Sequence, residues 1–199
     1  MGNSHIKWRL WQMSKSATTR MNTLDMAYVA MFAAIIAVCS WISIPATVPF
    51  TLQTLGVFLA VGVLDGKRGT MAVLTYLLLG MIGAPVFSGF AGGIGYMLGS
   101  TGGYIVGFIF TALTMWLMES LFGKKRWVLT FSMLLGILVC YVFGTVWFML
   151  VYANNTGEIG WWTAFLWCVV PYIIPDVLKI LLALTFCRKL KVVMKIDGR

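Results

Sequence analysis

Gly83-Ala84-Pro85-Val86-Phe87-Ser88-Gly89-Phe90-Ala91-Gly92-Gly93-Ile94-Gly95-Tyr96-Met97-Leu98-Gly99-Ser100-Thr101-Gly102-Gly103 carries eight glycines and no charge, and it joins two apolar runs. Glycine at this density lowers helix propensity by up to about 1 kcal/mol per residue, so the segment is not helical throughout. It frees backbone N–H and C=O groups, which beside lipid must be satisfied by protein or by a bound molecule. A folded loop lining a site is the economical reading.

The surrounding composition says that lipid is indeed nearby. Of 199 residues, 60% are hydrophobic and 11% charged, against about 45–50% and about 25% in a soluble domain. Six acidic and fifteen basic residues cannot furnish the polar surface of a soluble globule, so apolar surface must face a bilayer. At about 20 residues per span, the length suits roughly six membrane helices. The expected fold is an all-α membrane protein, one compact six-helix bundle.

Outward from the Gly-rich segment, the apolar runs are about 26–44, 51–64, 70–82, 104–122, 128–152 and 162–187. The second and third are too short to span alone and must borrow flanking residues or be covered by protein. Asp65-Gly66-Lys67-Arg68-Gly69 reads as a tight aqueous turn between them. Pro171 and Pro175 interrupt the last run and predict a kink or a reset helix start. Trp161, Trp162 and Trp167 at its beginning suit an interfacial belt. The domain reading is a basic amphiphilic tail at 1–25, a transmembrane domain at 26–187 and a basic tail at 188–199.

The net charge of +9 must be read by position, and it gives no reason to expect a nucleic-acid partner. Fourteen of the fifteen cations fall in the N-terminal tail, the turns after the second and fourth runs, and the C-terminal tail, while the three opposite connections carry none. The positive-inside rule then places both termini in the cytoplasm and the Gly-rich loop outside. The remaining cation is Lys179, within the last run, with Asp176 three positions before it. Positions i and i+3 share a helix face, and an ionisable group at the bilayer centre costs about 2.5–3.5 kcal/mol on insertion scales, which marks it as a functional candidate. The alternatives are a structural ion pair or a snorkelling lysine.

Gln53, Thr54, Ser88, Tyr96, Ser100, Thr101 and Tyr104 are polar candidates to converge with Asp176 on an outer cavity. Each alone is equally an interhelical hydrogen bond or interface anchor. Ala30 and Ala34, with Ala33 and Ala37, give small-residue pairs on the first span, and Gly103 and Gly107 give another on the fourth. These pack within the bundle or offer a smooth docking surface. Cys39, Cys140, Cys168 and Cys187 lie in apolar runs without metal or disulfide spacing, and the one histidine, His5, lies in the polar tail. No metal or cofactor is therefore expected, nor a membrane-embedded Ser-His-Asp triad. Gly62 to Arg68 is one residue short of a P-loop and lacks its Ser or Thr, so no ATPase site is read.

Together, Val48-Pro49-Phe50-Thr51-Leu52-Gln53, the Gly66 to Thr70 turn, Gly83 to Gly89, Gly92-Gly93, Gly99 to Tyr104 and Asp176-x-x-Lys179 closely resemble the BioY family, the biotin-specific substrate-binding (S) components of energy-coupling factor (ECF) transporters. The resemblance implies a six-helix S-component fold with cytoplasmic termini that captures biotin from outside. It further implies work with a transmembrane T component and two cytoplasmic ATPases, with Ala30 and Ala34 in the docking motif. Asp176 and Lys179 match the family's polar pair. A ureido ring, with two N–H donors and a carbonyl, suits a carboxylate such as Asp176 supported by Gln53. The ligand's carboxylate then finds loop N–H groups around Gly92 and Gly93 or Lys179, between walls that include Ser88, Tyr96 and Tyr104. Two departures are Pro175, where a glycine is frequent, and Ala91, where some relatives carry a polar side chain. An S component for another small vitamin is the neighbouring alternative. An intramembrane enzyme using Asp176 and Lys179 lacks a second membrane carboxylate and a nucleophile motif.

Overall fold

The computed structural model describes residues 21–46, 48–155, 157 and 159–194. Among these, the elements in chain order are α1 (Thr23–Trp41), β1 (Ser43–Ile44), β2 (Phe50–Thr51), α2 (Gln53–Leu64), α3 (Gly66–Met81), a 3-10 turn (Ser88–Phe90), α4 (Ile94–Leu98), α5 (Gly102–Phe122), α6 (Arg126–Asn155), α7 (Trp161–Cys168) and α8 (Val170–Met194). The amphiphilic tail reading falls mostly on residues 1–20, outside the described residues. Helix α1 starts at a capping box, in which Asn22 accepts from Thr23 N–H at 2.8 Å and Asp25 accepts from Asn22 N–H at 3.3 Å.

Among the described residues, four helical runs are long and apolar enough to cross a membrane, namely α1, α5, α6 and the joined α7–α8 run Trp161–Met194. Helix α6, with 30 residues, is about 45 Å long at 1.5 Å per residue. Helix α2, with 12 residues, reaches only about 18 Å, short of a hydrocarbon core of about 30 Å. Its environment explains why so short a helix is tolerated. Every α2 residue except Thr54 is buried, so protein rather than lipid surrounds it, packed by α1, α3 and α8. It is the central helix of the bundle.

Two expectations of local structure are corrected. Gly66-Lys67-Arg68-Gly69-Thr70 is the first turn and a half of α3, not an aqueous turn, and the reversal is compressed into Asp65 at φ 77°. The reason is packing: a Cβ on Gly66 would lie 2.6 Å from the Trp116 Cα, and one on Gly69 would lie 2.3 Å from the Val61 Cα. These glycines let α3 lie directly against α2 and α5, an approach that outweighs their cost in helix propensity. At the other end, the basic tail expected from residue 188 continues α8 to Met194. The predicted interruption of the last run is at Val169, between α7 and α8, which puts Pro171 in the first turn of α8, where a missing N–H is tolerated. Pro175 lies inside α8.

The Gly-rich segment is folded, as its composition requires. Gly93 N–H donates to Gly80 O at 2.6 Å, Phe87 N–H to Ala91 O at 2.9 Å, and Ala84 N–H to Leu79 O at 3.0 Å. Phe87 is fully buried against Gly80. From α1, Ser40 Oγ donates to Val86 O at 2.5 Å and Trp41 Nε1 to Pro85 O at 2.9 Å. Protein thus satisfies much of the segment's backbone, Gly93 N–H included. Helices α5 and α6 make the most extensive pairing in the bundle. Gly103 lies against Trp147, Gly107 against Cys140 and Gly136 against Thr111, so the Gly103/Gly107 pair packs inside the bundle.

Candidate functional site: a cavity around a buried ion pair

Two apolar clusters form in the protein. The larger joins α1, α2, α3, α5, α6 and α8, and the smaller consists of Val48, Phe148, Cys168 and Val169. Tyr104 and Tyr141 pack against both. In the seam between them lies a cavity of about 600 Å³, its mouth included. Its polar lining comes from five places: the α1–α2 ribbon and α2 start, the Gly-rich segment, α5, α6 and α8.

Asp176 and Lys179 line this cavity side by side, three residues apart on one face of α8. Their relative exposures are only 4% and 5%, and Lys179 Nζ lies 2.8 Å from Asp176 Oδ1. Thr54 Oγ1 also donates to Oδ1, at 3.3 Å, and the Tyr141 hydroxyl donates to Oδ2. The Phe50 ring, presented by β2, lies 4.3 Å from Lys179 Nζ, a cation–π contact that further satisfies the ammonium. Two carboxylate oxygens offer about four lone-pair sites. With three donors in place, Asp176 has one acceptor position left for a ligand N–H.

Gln53, the first residue of α2, is 4% exposed. Its Nε2 donates to the Tyr76 hydroxyl, and its Oε1 accepts from Thr51 Oγ1 at 3.1 Å. This pairing sets the amide orientation and leaves one N–H and one lone pair to serve a ligand. Ser88, Tyr96 and Thr101 reach the cavity from the Gly-rich segment, and Tyr104 from α5. The Tyr104 hydroxyl lies 3.0 Å from Thr145 Oγ1. Tyr96 stacks on Phe87 with centroids 5.5 Å apart, which fixes its ring to the anchored loop.

Asp176, Lys179, Gln53, Ser88, Tyr96 and Tyr104 therefore line one cavity, with Thr54 and Thr101 beside them. Gly92 and Gly93 are not among its lining residues. A Cβ on Gly92 would lie 2.2 Å from Ala84 O, and Gly93 has φ 92°, so both set the loop's path over the bundle. Ala91 packs against the main core and is not a lining residue. Sequence reasoning missed Tyr141, Tyr172, Cys140 and Cys168, which also line the cavity. Tyr172 donates to Val48 O and so ties α8 to the α1–α2 ribbon. Spacing carried a partial signal, since Tyr172 lies one helical turn before Asp176.

On α1, Ala33 and Ala37 are buried whereas Ala30 and Ala34 are exposed. The two small-residue pairs thus divide between the core and the outer surface. Among the described residues, no cluster of His, Cys, Asp and Glu suits a metal ion.

The sequence pattern of the BioY family matches residues 13–196. A probable biotin transporter BioY of Pyrococcus horikoshii is 37% identical over 172 residues, which cover 86% of this chain and 98% of that protein. The biotin transporter BioY of Thermotoga maritima is 39% identical over 165 residues, covering 81% and 92%. Among solved structures, the S-component for biotin from an ECF-type ABC transporter matches with a TM-score of 0.76 at 26% identity, over 86% of this chain and 95% of that one. The chain belongs to the BioY family.

Proposed function

We propose that this chain is the biotin-capturing S component of an ECF-type transporter and performs no covalent chemistry. The observation that carries the reading is the buried Asp176–Lys179 pair, with Gln53 beside it in the same cavity. A ureido ring needs an acceptor for its N–H groups and a donor for its carbonyl. Asp176 has one acceptor position open, and Gln53 has one N–H and one lone pair open. The apolar remainder of the molecule suits Ile105, Phe108, Ile137 and the Tyr96 and Tyr104 rings. The ligand's carboxylate meets either Lys179 or the Gly-rich segment around Ser88, with Gly92 and Gly93 holding that segment in place.

The bundle crosses the membrane six times in this reading, through α1, α2, α3, α5, α6 and the α7–α8 run. Both termini are cytoplasmic and the cavity opens outward. The distribution of Lys and Arg supports that orientation. Ala30 and Ala34, exposed on α1, form the face for a transmembrane T component, which couples the subunit to two cytoplasmic ATPases. Reorientation against that driven partner then presents the cavity to the cytoplasm. The deciding experiment is equilibrium binding of labelled biotin to the purified protein in detergent without nucleotide. Saturable, stoichiometric binding that is lost in Asp176→Asn is expected. No binding by well-folded wild-type protein overturns the substrate, and unchanged binding by Asp176→Asn overturns the site.

A further inference from the structure

A second cavity, of about 410 Å³, lies at the opposite end of the bundle, between the α2 C-terminus, the α5–α6 turn and the last turns of α8. Its floor is apolar, with Val61, Met115, Val128 and Leu129. Its rim carries Lys124, Lys125, Arg126 and Lys191 against Asp65 and Glu119. The two carboxylates are already engaged: Lys124 Nζ lies 2.9 Å from Asp65 Oδ1 and 3.8 Å from Glu119 Oε1, and Gly66 N–H donates to Glu119 Oε2 at 2.5 Å. Among the described residues, Lys125, Arg126 and Lys191 form no ion pair within 4.0 Å. Four cations against two carboxylates thus leave the rim with a net charge of +2 over an apolar floor. Trp127, directly after Arg126, is 59% exposed, and an exposed indole beside a cationic rim suits the headgroup region of a bilayer.

We propose that this cavity binds an anionic phospholipid, its phosphate held by Lys125, Arg126 and Lys191 and its upper acyl chain against Val61, Met115 and Leu129. A soluble anion would use the cations and leave the apolar floor wet. A zwitterionic lipid would fill the floor and leave the net positive rim unmatched. Only an amphiphile with net negative charge answers both halves of the lining. The site shares no lining residue with the substrate cavity, so the assignment stands apart from the biotin reading.

The test is native mass spectrometry of the full chain released from uncharged detergent, titrated with dioctanoyl phosphatidylglycerol or dioctanoyl phosphatidylcholine. The wild type is expected to retain the anionic lipid preferentially. Each of Lys125→Gln, Arg126→Gln and Lys191→Gln should weaken that retention, by up to about five-fold per cation, and the triple variant should show no headgroup preference. The control Arg188→Gln/Lys189→Gln removes two exposed cations outside the cavity and should leave the preference intact. If the triple variant does not fold by circular dichroism, the single variants from α6 and α8 decide. A preference unchanged in the variants, or lost equally in the control, overturns the site. Displacement of the lipid by equimolar inorganic phosphate overturns the lipid and assigns a free-anion site instead.

Discussion

Asp176→Asn should separate two roles that the buried pair combines. In the wild type, Lys179 is 5% exposed and has Asp176 as its charge partner at 2.8 Å. Removing the carboxylate charge leaves the ammonium without a counter-ion, beside a neutral amide and the Phe50 ring, and breaking one side of a buried pair costs about 3–5 kcal/mol. Lys179→Met is less damaging, because Asp176 keeps the Thr54 and Tyr141 hydroxyls as hydrogen-bond donors. The double variant Asp176→Asn/Lys179→Met leaves no charge and should regain most of the stability. Binding follows a different order. A hydrogen bond to a charged acceptor is worth about 1.5–3 kcal/mol, so both variants lacking the carboxylate should bind biotin roughly 10- to 150-fold more weakly. Thermal unfolding in detergent and equilibrium biotin binding on the same four proteins check this. If Lys179→Met is more destabilised than Asp176→Asn, the account of the pair is wrong. If the double variant is stable and binds like the wild type, Asp176 is not a ligand.

Four further outcomes follow from the packing, the cavity lining and the exposed face of α1. Gly103→Ala places a Cβ 2.2 Å from the Trp147 Cβ, so α5 and α6 must part, at about 1–3 kcal/mol of stability by thermal unfolding. Gly95→Ala meets nothing within 4 Å and should stay within about 0.5 kcal/mol of wild type. Cys168 lines the cavity and Cys187 does not, so saturating biotin should slow alkylation of a protein whose single cysteine is Cys168 and leave a Cys187-only protein unaffected. Equal protection of both would refute the assigned pocket. Ala34→Trp, on an exposed position of α1, should bind biotin as the wild type does yet fail to co-purify with the T component. Intact complex formation would refute the docking face.

Much of this protein was legible in its sequence because the relevant signals are local. The fraction of apolar residues, the length of the runs and the clustering of cations between them identify a multi-pass membrane protein without reference to packing. The pairing of Asp176 with Lys179 follows from helix geometry, since i and i+3 share a face. The need for Gly83–Gly103 to fold on protein follows from its unsatisfied backbone. Elsewhere, local chemistry misled. Two glycines and three charges at Asp65–Gly69 look like a turn, yet Gly66 and Gly69 serve helix contacts against Trp116 and Val61 that no local rule reveals.

Only the tertiary structure decided which faces of the apolar helices meet one another. A helix that is apolar all round carries no periodicity to point its face, so nothing in Gln53–Leu64 announced a central helix buried on all sides. For the same reason Tyr141, Cys140 and Cys168 could not be assigned to the cavity, nor Tyr76 to the amide of Gln53, 23 residues away. It likewise divided the alanines of α1, turning Ala33 and Ala37 inward and Ala30 and Ala34 outward. The sequence by itself determined the solvent, the multi-pass character and the charge pair, because composition and helical spacing act within a few turns. The cavity was decided by the tertiary fold, because it exists only where five distant segments leave space between two cores.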